Sequence, residues 1–376
     1  MHDVLVVGSG IVGLAHALSA ARRGKSVVVV ERSLHPVGAS IRNFGLIWPI
    51  GQPLGRRFDR ALRSRSIWTE LAEQTGMYFA QTGSLHVVHR EDEYRVIEEF
   101  VELYSSANLD VQLLSANKTI EKAPAVRRDN LRGSMWSPFE VNVDPRQAIP
   151  RIIDCLKSLY NVEFRFGVNA VAIEDGVLFC ADQIIEFDQA YVCSGQDFEI
   201  LMPQVQQESE LIRVKLQMMR STALPMDWDL GPSLCAGLTL LHYDAFSELN
   251  SLEDLRVRVS NERPEYVAHG IHVLLSQNST RQLIMGDTHE YGHTLDPFVR
   301  SDLNDLVTQE IARFVDLPPI SIDESWIGIY AKCINRSEFV SMVSDQITVV
   351  NGLGGAGMTL SFGLAEEVIG GTYQAA

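Results

Sequence analysis

The chain opens on unbroken apolar runs separated by a stretch of small residues. Residues 4–7 (VLVV) carry no polar position, which predicts a strand buried on both faces of a parallel sheet. Residues 11–23 follow with Ala15, Ala17, Ala20 and Ala21, small side chains that let a helix lie close on a sheet. Gly24 stops that helix, and residues 26–31 (SVVVVE) read as a second buried strand. The order β–α–β predicts a parallel sheet at the N-terminus.

Further on the periods change. Residues 38–55 are rich in Gly and Pro and read as an ordered loop. Helices are expected over 56–74, over 91–107 with an amphipathic period, and from the Asp144-Pro145 cap to about 159. Strands are expected at 84–89 and in three short runs that end at 190–193 (AYVC). From 213 to 289 the pattern shifts to long strands and turns, such as IRVKLQMMRSTAL and HGIHVLLSQ, which predicts a large antiparallel sheet. A helix at 299–314 interrupts it, and the last fifty residues return to buried strand, glycine-rich turn and helix. The expected fold class is therefore α/β: a Rossmann-like domain over 1–83, 144–212 and 326–376, carrying an inserted antiparallel-sheet domain over 84–143 and 213–325.

Charge narrows the partners. With 48 acidic and 32 basic residues, the net charge of −16 repels phosphate backbones and anionic lipid, so no nucleic acid or membrane partner is expected. Any small anion must be held by local cations. The 5 cysteines form no C-x-x-C pair, so reduced core thiols and a cytoplasmic location are expected rather than disulfides or a cysteine zinc site. The first strand starts at Asp3 with no basic segment before it, so no signal peptide is expected.

Gly8-Ser9-Gly10-Ile11-Val12-Gly13 matches G-x-G-x-x-G after a predicted strand, at the start of a predicted helix, with Glu31 ending the next strand. The chemistry of a dinucleotide site is complete here. Gly8 makes the turn, Gly10 admits a pyrophosphate to the backbone, and Gly13 lets helix meet strand. The helix N-terminus offers N–H donors and positive potential, and Glu31 can accept both ribose hydroxyls. Two later segments favour FAD over NAD. Gly38-Ala39-Ser40 lies where an extended FAD would pass its pyrophosphate, and residues 352–357 (GLGGAG) open a second helix over 358–369. A helix N-terminus aimed at a reduced flavin stabilises the negative charge that collects at N1 and O2.

Over essentially its whole length the chain resembles the glycine oxidase, sarcosine oxidase and D-amino-acid oxidase superfamily of FAD-dependent amine oxidoreductases. The resemblance rests on GSGIVG with Glu31, GASIRNFG at 38–45, VDP at 143–145, CSG at 193–195 and GGAGMTLSFGLAEEV at 354–368. The segments GASIRNFGLIWPIGQ (38–52), KLQMMR (215–220), GDTHEYG (286–292) and WIGIYAK (326–332) are similar to a narrower bacterial subgroup associated with phosphonate catabolism. That likeness implies a small anionic amine as substrate, an aminophosphonate related to 2-aminoethylphosphonate. It implies hydride transfer to flavin N5, imine hydrolysis, and oxygen or another acceptor for the electrons. It places Gly8, Gly10, Ile11, Val12, Gly13, Glu31, Arg32, Ala39, Ser40, Val171, Gly195, Gly354, Gly355, Gly357, Met358 and Thr359 at FAD positions. Flavin-linked sarcosine oxidases carry a cysteine before a C-terminal turn. Here Ile329 or Tyr330 falls there, with Cys333 a few residues on, so the flavin is expected to be non-covalent. Where D-amino-acid oxidases carry an arginine, Tyr330-Ala331-Lys332 offers a lysine, and their carboxylate clamp does not transfer.

His289-Glu290-Tyr291-Gly292-His293 matches H-E-x-x-H, which binds zinc only on a helix. Its window carries Gly286, Gly292 and Pro297 and reads as a strand running into a loop, so no metal is expected. His289 and Tyr291 either line a substrate pocket or decorate a polar loop. Arg42, Asn43 and Lys332 lie in segments expected to flank the flavin, where they face the pocket or stay solvated. Tyr330, His242 and His272 divide in the same way between pocket and scaffold. No general base is evident. Two alternative functions stay open: oxidation of a hydroxyl compound, and FAD binding without catalysis.

Overall fold

The computed structural model describes residues 1–374. Two large sheets dominate it. The first has eight strands, with the buried run His2–Val7 between Val27–Glu31 and Ile184–Val192, and Ile347–Asn351 parallel to the last of these. Glu163–Phe166 extends the parallel core beyond Val27–Glu31. The apolar runs fall in the middle of this sheet because both of its faces are covered. The helices Ile11–Arg22 and Gly357–Ile369 pack against each other, and Arg56–Thr75 and Pro145–Tyr160 complete their layer. The Asp144 side chain accepts a bond from Arg146 N, the cap expected from its sequence.

The second sheet has nine strands. The long strand Leu211–Ala223 runs antiparallel to Gln282–Gly286, Glu290–Gly292 and Ile322–Cys333. Ser84–Val88, Gly133–Ser137 and Gln112–Ser115 extend the other end, and the Ser233–Cys235 contact with Ser84–Val88 is parallel, so this sheet is mixed. A small sheet of Leu46–Ile47, Val141–Val143 and Phe79–Ala80 sits apart from both.

Two expectations need correction. The run 213–289 is not all strand, because helices at Gly237–Leu240, Leu252–Glu262 and Pro264–Ala268 interrupt it. Leu252, Leu255 and Val259 are buried at helical spacing there, a period that the strand reading of the neighbouring segments obscured. The expected boundary at 326 falls inside one continuous strand. Ile322–Cys333 pairs with Leu211–Ala223 from Ser221↔Ile322 to Leu211↔Cys333, so residues 326–333 belong to the second sheet. Alternation along the strand holds it in one ladder, and the chain returns to the first sheet after Cys333, through Phe339–Met342 and Ile347–Asn351.

The helix layer is locked by a buried ion cluster. Arg60, fully buried, donates to Glu367 from Nε (3.1 Å) and Nη2 (2.7 Å) and to Glu338 from Nη1 (2.7 Å). Arg56 adds a 3.0 Å contact to Glu367, and Arg63 reaches the same carboxylate. Burial alone would raise the Glu367 carboxyl. The hydrogen bonds and charges of Arg60 and Arg56 outweigh it and hold the group below the usual carboxylate range. Glu367→Ala leaves Arg60 buried without its main partner and should cost about 3–5 kcal/mol, read as a lowered midpoint in urea unfolding at pH 7. In the wild type this contribution is complete above the unfolded carboxylate pKa. It should be lost as pH falls through the lower folded value, so the stability gap between wild type and variant should close in acid.

Candidate active site

The glycines of the N-terminal motif do different work. Gly8 holds a φ of +102°, and a Cβ there would lie 2.4 Å from the Cys193 carbonyl. A Cβ on Gly13 would lie 1.9 Å from Gly8 O, so the helix and the turn touch through bare backbone. Gly10 is the N-cap of the helix Ile11–Arg22 and supplies no side-chain cap; a Cβ there would point at Ser40 Oγ, 3.2 Å away. Ser40 Oγ accepts from Ile11 N (2.8 Å), which brings the loop 38–42 over the helix start. Glu31 is oriented by Ser9, whose N–H (3.0 Å) and hydroxyl (2.9 Å) donate to Oε2, and by Ser33 N (2.9 Å) on Oε1.

A continuous cleft runs from this motif across the parallel strands. Gly8, Gly10, Ile11, Val12, Glu31, Arg32, Ala39, Ser40, Gly195, Gly354 and Gly357 line it, as do Arg42 and Tyr330. The long groove, the bare glycines and the N-terminus of the helix Gly357–Ile369 at its far end fit an extended dinucleotide. Arg32 pairs with Asp197 (2.6 Å) at the rim.

Several expected contacts sit elsewhere. Val171, expected to offer its backbone to the adenine, has a side chain that is 55% exposed, beside a bulge at Ala170, and its neighbours Val168, Asn169 and Ala170 line the cleft. Gly13 serves helix packing. The Thr359 hydroxyl accepts from Trp48 N (2.9 Å) and the Met358 carbonyl from Trp68 Nε1 (2.9 Å), which leaves their first-turn N–H groups as the donors at that end. Gly355 lies against the Tyr330 hydroxyl. Asn43 is turned back on its own loop: its amide donates to Ala39 O and Ser40 O and accepts from Gly45 N, which uses its polar groups as a scaffold. Among the described residues, neither Arg42 nor Lys332 has a carboxylate within ion-pair distance. Arg42 donates to Ile327 O (3.1 Å), and the Lys332 stem lies along Gly354.

The H-E-x-x-H residues are not helical. Glu290–Gly292 is a short strand, Glu290 pairs with Lys215 (2.6 Å), and the His293 carbonyl accepts from Arg213. His289 instead joins His242 and His272, so that one ring nitrogen of each lies within 4.8 Å of the others. Tyr243, Asp287, Tyr291, Tyr330 and Lys332 surround them. Lys332 Nζ sits 5.6 Å over the half-exposed Tyr291 ring. Burial pushes the His289 imidazole down to about 4, and burial with neighbouring positive charge depresses His242 further. Burial raises the Asp287 carboxyl well above its ordinary range. The cluster is thus largely uncharged near neutrality, apart from Lys332. Tyr243 and Asp287 carry no motif spacing. Three histidines drawn from separate segments were equally invisible as a group.

The sequence profile of the FAD dependent oxidoreductase family (DAO) matches residues 3–369, and the chain belongs to that family. It is 26% identical to the glycine oxidase of Geobacillus kaustophilus (strain HTA426) over 153 residues, 38% of this chain and 40% of that protein. It is 50% identical to a 3-oxosteroid 1-dehydrogenase of Mycobacterium tuberculosis (strain ATCC 25618 / H37Rv) over only 56 residues, 15% of this chain and 10% of that protein. The matches therefore span less than half the length of these curated relatives. In three dimensions the Geobacillus kaustophilus glycine oxidase superposes with a TM-score of 0.79 at 19% identity, covering 100% of this chain and 96% of its own. An iminodiacetate oxidase from Chelativorans sp. BNC1 gives 0.74 at 20% identity, covering 99% and 96%. At such identities these structures establish the shared fold.

Gly10→Val places a branched side chain on the helix start, where the dinucleotide backbone must approach. The variant should keep a native far-ultraviolet circular dichroism spectrum and purify colourless, without flavin absorbance near 450 nm. Full flavin content in Gly10→Val would move the pyrophosphate site elsewhere.

Proposed function

We propose that this FAD-dependent oxidoreductase oxidises the C–N bond of a small amine that carries an anionic group, an aminophosphonate related to 2-aminoethylphosphonate. The observation that carries the reading is the placement of Lys332. In a chain of net charge −16, this lysine has no carboxylate partner among the described residues. It lies between the C-terminal glycine turn, where the flavin ring is expected, and the cluster around His289. A half-buried cation without a carboxylate beside it offsets locally the repulsion that an acidic chain exerts on an incoming anion. The fold relatives named for glycine and iminodiacetate are consistent with this, since both of those compounds are amines that bear carboxylates. The aminophosphonate itself rests on the segments 38–52, 215–220, 286–292 and 326–332.

The bound flavin would supply a two-electron acceptor for the carbon next to nitrogen. The chain's own part is to bind and orient. Lys332 holds the anionic end beside the sheet, while Tyr330, against Gly355, closes one wall over the ring position. Arg42 lines the same cleft. The N–H groups that begin the helix Gly357–Ile369 favour negative charge at the pyrimidine end of the ring. No side chain stands out as a base for the amine, which reacts as the free base. The imine then hydrolyses to a carbonyl product, with oxygen or another acceptor taking the electrons. Cys333 is 1% exposed, and burial pushes its thiol up to about 11, so it is a poor nucleophile and the flavin is held non-covalently.

Under anaerobic conditions an aminophosphonate should bleach the flavin faster than glycine, sarcosine or a phosphorylated alcohol. Lys332→Met should raise the apparent KM for aminophosphonates by roughly 30-fold or more, the effect of removing one desolvated charge partner, while FAD stays bound. A preference for plain amino acids would remove the phosphonate and leave the amine oxidation. A preference for alcohols would remove both.

A further inference from the structure

The cluster beneath the second sheet has one feature that the cation argument leaves unused. Three imidazoles converge from three separate segments in a buried space beside Lys332. The His242 and His272 rings stack with centroids 3.7 Å apart, and the His289 ring lies 4.7 Å from the first and 5.3 Å from the second. One of the rings is oriented from behind by a hydrogen bond, and a second has a carboxyl beside it. His289 Nδ1 is 2.9 Å from the Gly270 carbonyl, which can only accept, so Nδ1 carries the proton and Nε2 keeps its lone pair. His272 Nε2 lies 3.1 Å from Asp287 Oδ1. The ring is 3% exposed, and its Nδ1 is buried without a hydrogen-bond partner. A buried imidazole nitrogen left without a partner is costly, and here, unlike at His16 and His86, it lies in a group of three imidazoles beside a cation.

A divalent metal is the first candidate for three such nitrogens, and the ring spacing argues against it. Two imidazoles bound at ~2.0–2.1 Å to one tetrahedral ion hold their ring centres roughly 5 Å apart, whereas His242 and His272 are 3.7 Å apart and face to face. A carboxylate is served less fully. It is ionised and offers only acceptors, so it can take a ring N–H but cannot satisfy the lone pair that His289 Nε2 turns to the cluster. A phosphonate differs because its second ionisation lies near neutrality, about pH 6 for the related phosphate. It can reach the site with one P–O–H, which donates to an imidazole lone pair, while its charged oxygens face Lys332. Moving that proton onto the ring gives an imidazolium–dianion pair with the same composition.

We propose that His242, His272 and His289, together with Lys332, form a proton-coupled anion subsite that binds the substrate's phosphonate with one proton and thereby discriminates against carboxylates. This rests on the reading of the protein as an oxidase of anionic amines and specifies the residues that read the anion. The other titratable groups facing the cluster are Asp287 behind His272 and the phenols of Tyr243, Tyr291 and Tyr330. The phenols are all held protonated by burial, so they supply donors and do not titrate near neutrality. His269 lies beside the cluster through its backbone, its carbonyl accepting from His289 N. The stacked pair follows from the same logic. Neutral imidazoles tolerate a face-to-face contact that two imidazolium rings would not, so the free rings stay uncharged until the anion brings the proton.

The test uses the FAD-loaded enzyme and two probes that lack the amine, ethylphosphonate and propionate. Binding is followed by the change in flavin absorbance. Calorimetry in two buffers of different ionisation heat counts the protons exchanged. At a pH well above its own second pKa, which for an alkylphosphonate is higher than for a phosphate monoester, ethylphosphonate should bind with uptake of about one proton, and its affinity should fall about tenfold per further pH unit. Propionate should bind more weakly and without proton uptake. In His272→Asn and His289→Asn, with an unchanged flavin spectrum as the control for folding, ethylphosphonate affinity should drop on the order of tenfold or more and the proton uptake should shrink. Ethylphosphonate binding without proton uptake in the wild type would overturn the proposal, and that measurement needs no variant. Unchanged binding in both variants would also overturn it, as would binding that is abolished by a chelator and restored by zinc. Bleaching by an aminophosphonate separates the two levels. If it occurs while the subsite results are negative, the oxidase reading stands and the phosphonate is held elsewhere. If no aminophosphonate bleaches the flavin, the substrate reading itself fails.

Discussion

Everything at the site depends on how the last helix docks. Gly357–Ile369 lies so close to Arg56–Thr75 that a Cβ on Gly363 would sit 2.5 Å from the Arg60 carbonyl, and the Gly363 N–H donates instead to Ser64 Oγ (2.8 Å). The guanidinium of that same Arg60 reaches back to Glu367, one turn along the docked helix. Bare backbone contact and a buried ion cluster therefore fix the helix along its length and in rotation. Its start, with the turn Gly354–Gly357, is thereby held at the end of the cleft that begins at Gly8. A buried ion pair is a weak source of net stability but a strong source of registry. Registry is what two distant glycine turns need if one cofactor is to span them.

The second constraint is electrostatic. Most arginines of this acidic chain are engaged in ion pairs, such as Arg146 with Glu324 and Arg258 with Asp92 and Glu93. Lys25, Lys118, Lys122 and Lys157 are exposed and in no ion pair among the described residues, whereas Lys332 is half-buried beside the histidine cluster. Around it the chain has placed groups that burial keeps neutral: three imidazoles, three phenols and a carboxyl. A cluster of this kind sets one cation among groups that burial keeps neutral, so any further charge brought to it acts with little screening by water.

The half of the site that binds the dinucleotide was legible because its chemistry is local. A turn that needs a positive φ at Gly8, a helix that must start without a side chain at Gly10 and a carboxylate at the end of the next strand all lie within about thirty residues, and each requirement selects a residue type. Local irregularity was less legible, such as the bulge at Ala170 beside Val171. Asn43 was misassigned for a similar reason: an Asn in a loop can face a ligand or its own backbone, and only the conformation of residues 39–45 settles the choice.

The sequence by itself determined the parallel-sheet domain, the dinucleotide cradle, the family and the failure of H-E-x-x-H to form a helix. Periodicity, glycine placement and turn chemistry are short-range properties, and they decide those features directly. The grouping of Lys332 with the three histidines was decided only by the tertiary structure. His242 comes from a helical insertion, His272 precedes one strand of the second sheet, His289 follows the next, and Lys332 belongs to a strand that closes the ladder with Leu211–Ala223. No spacing along the chain relates them. What brings them together is the register of an antiparallel ladder, in which a shift of one residue would turn Tyr330 and Lys332 to the opposite face, and that register is set by packing across the whole sheet.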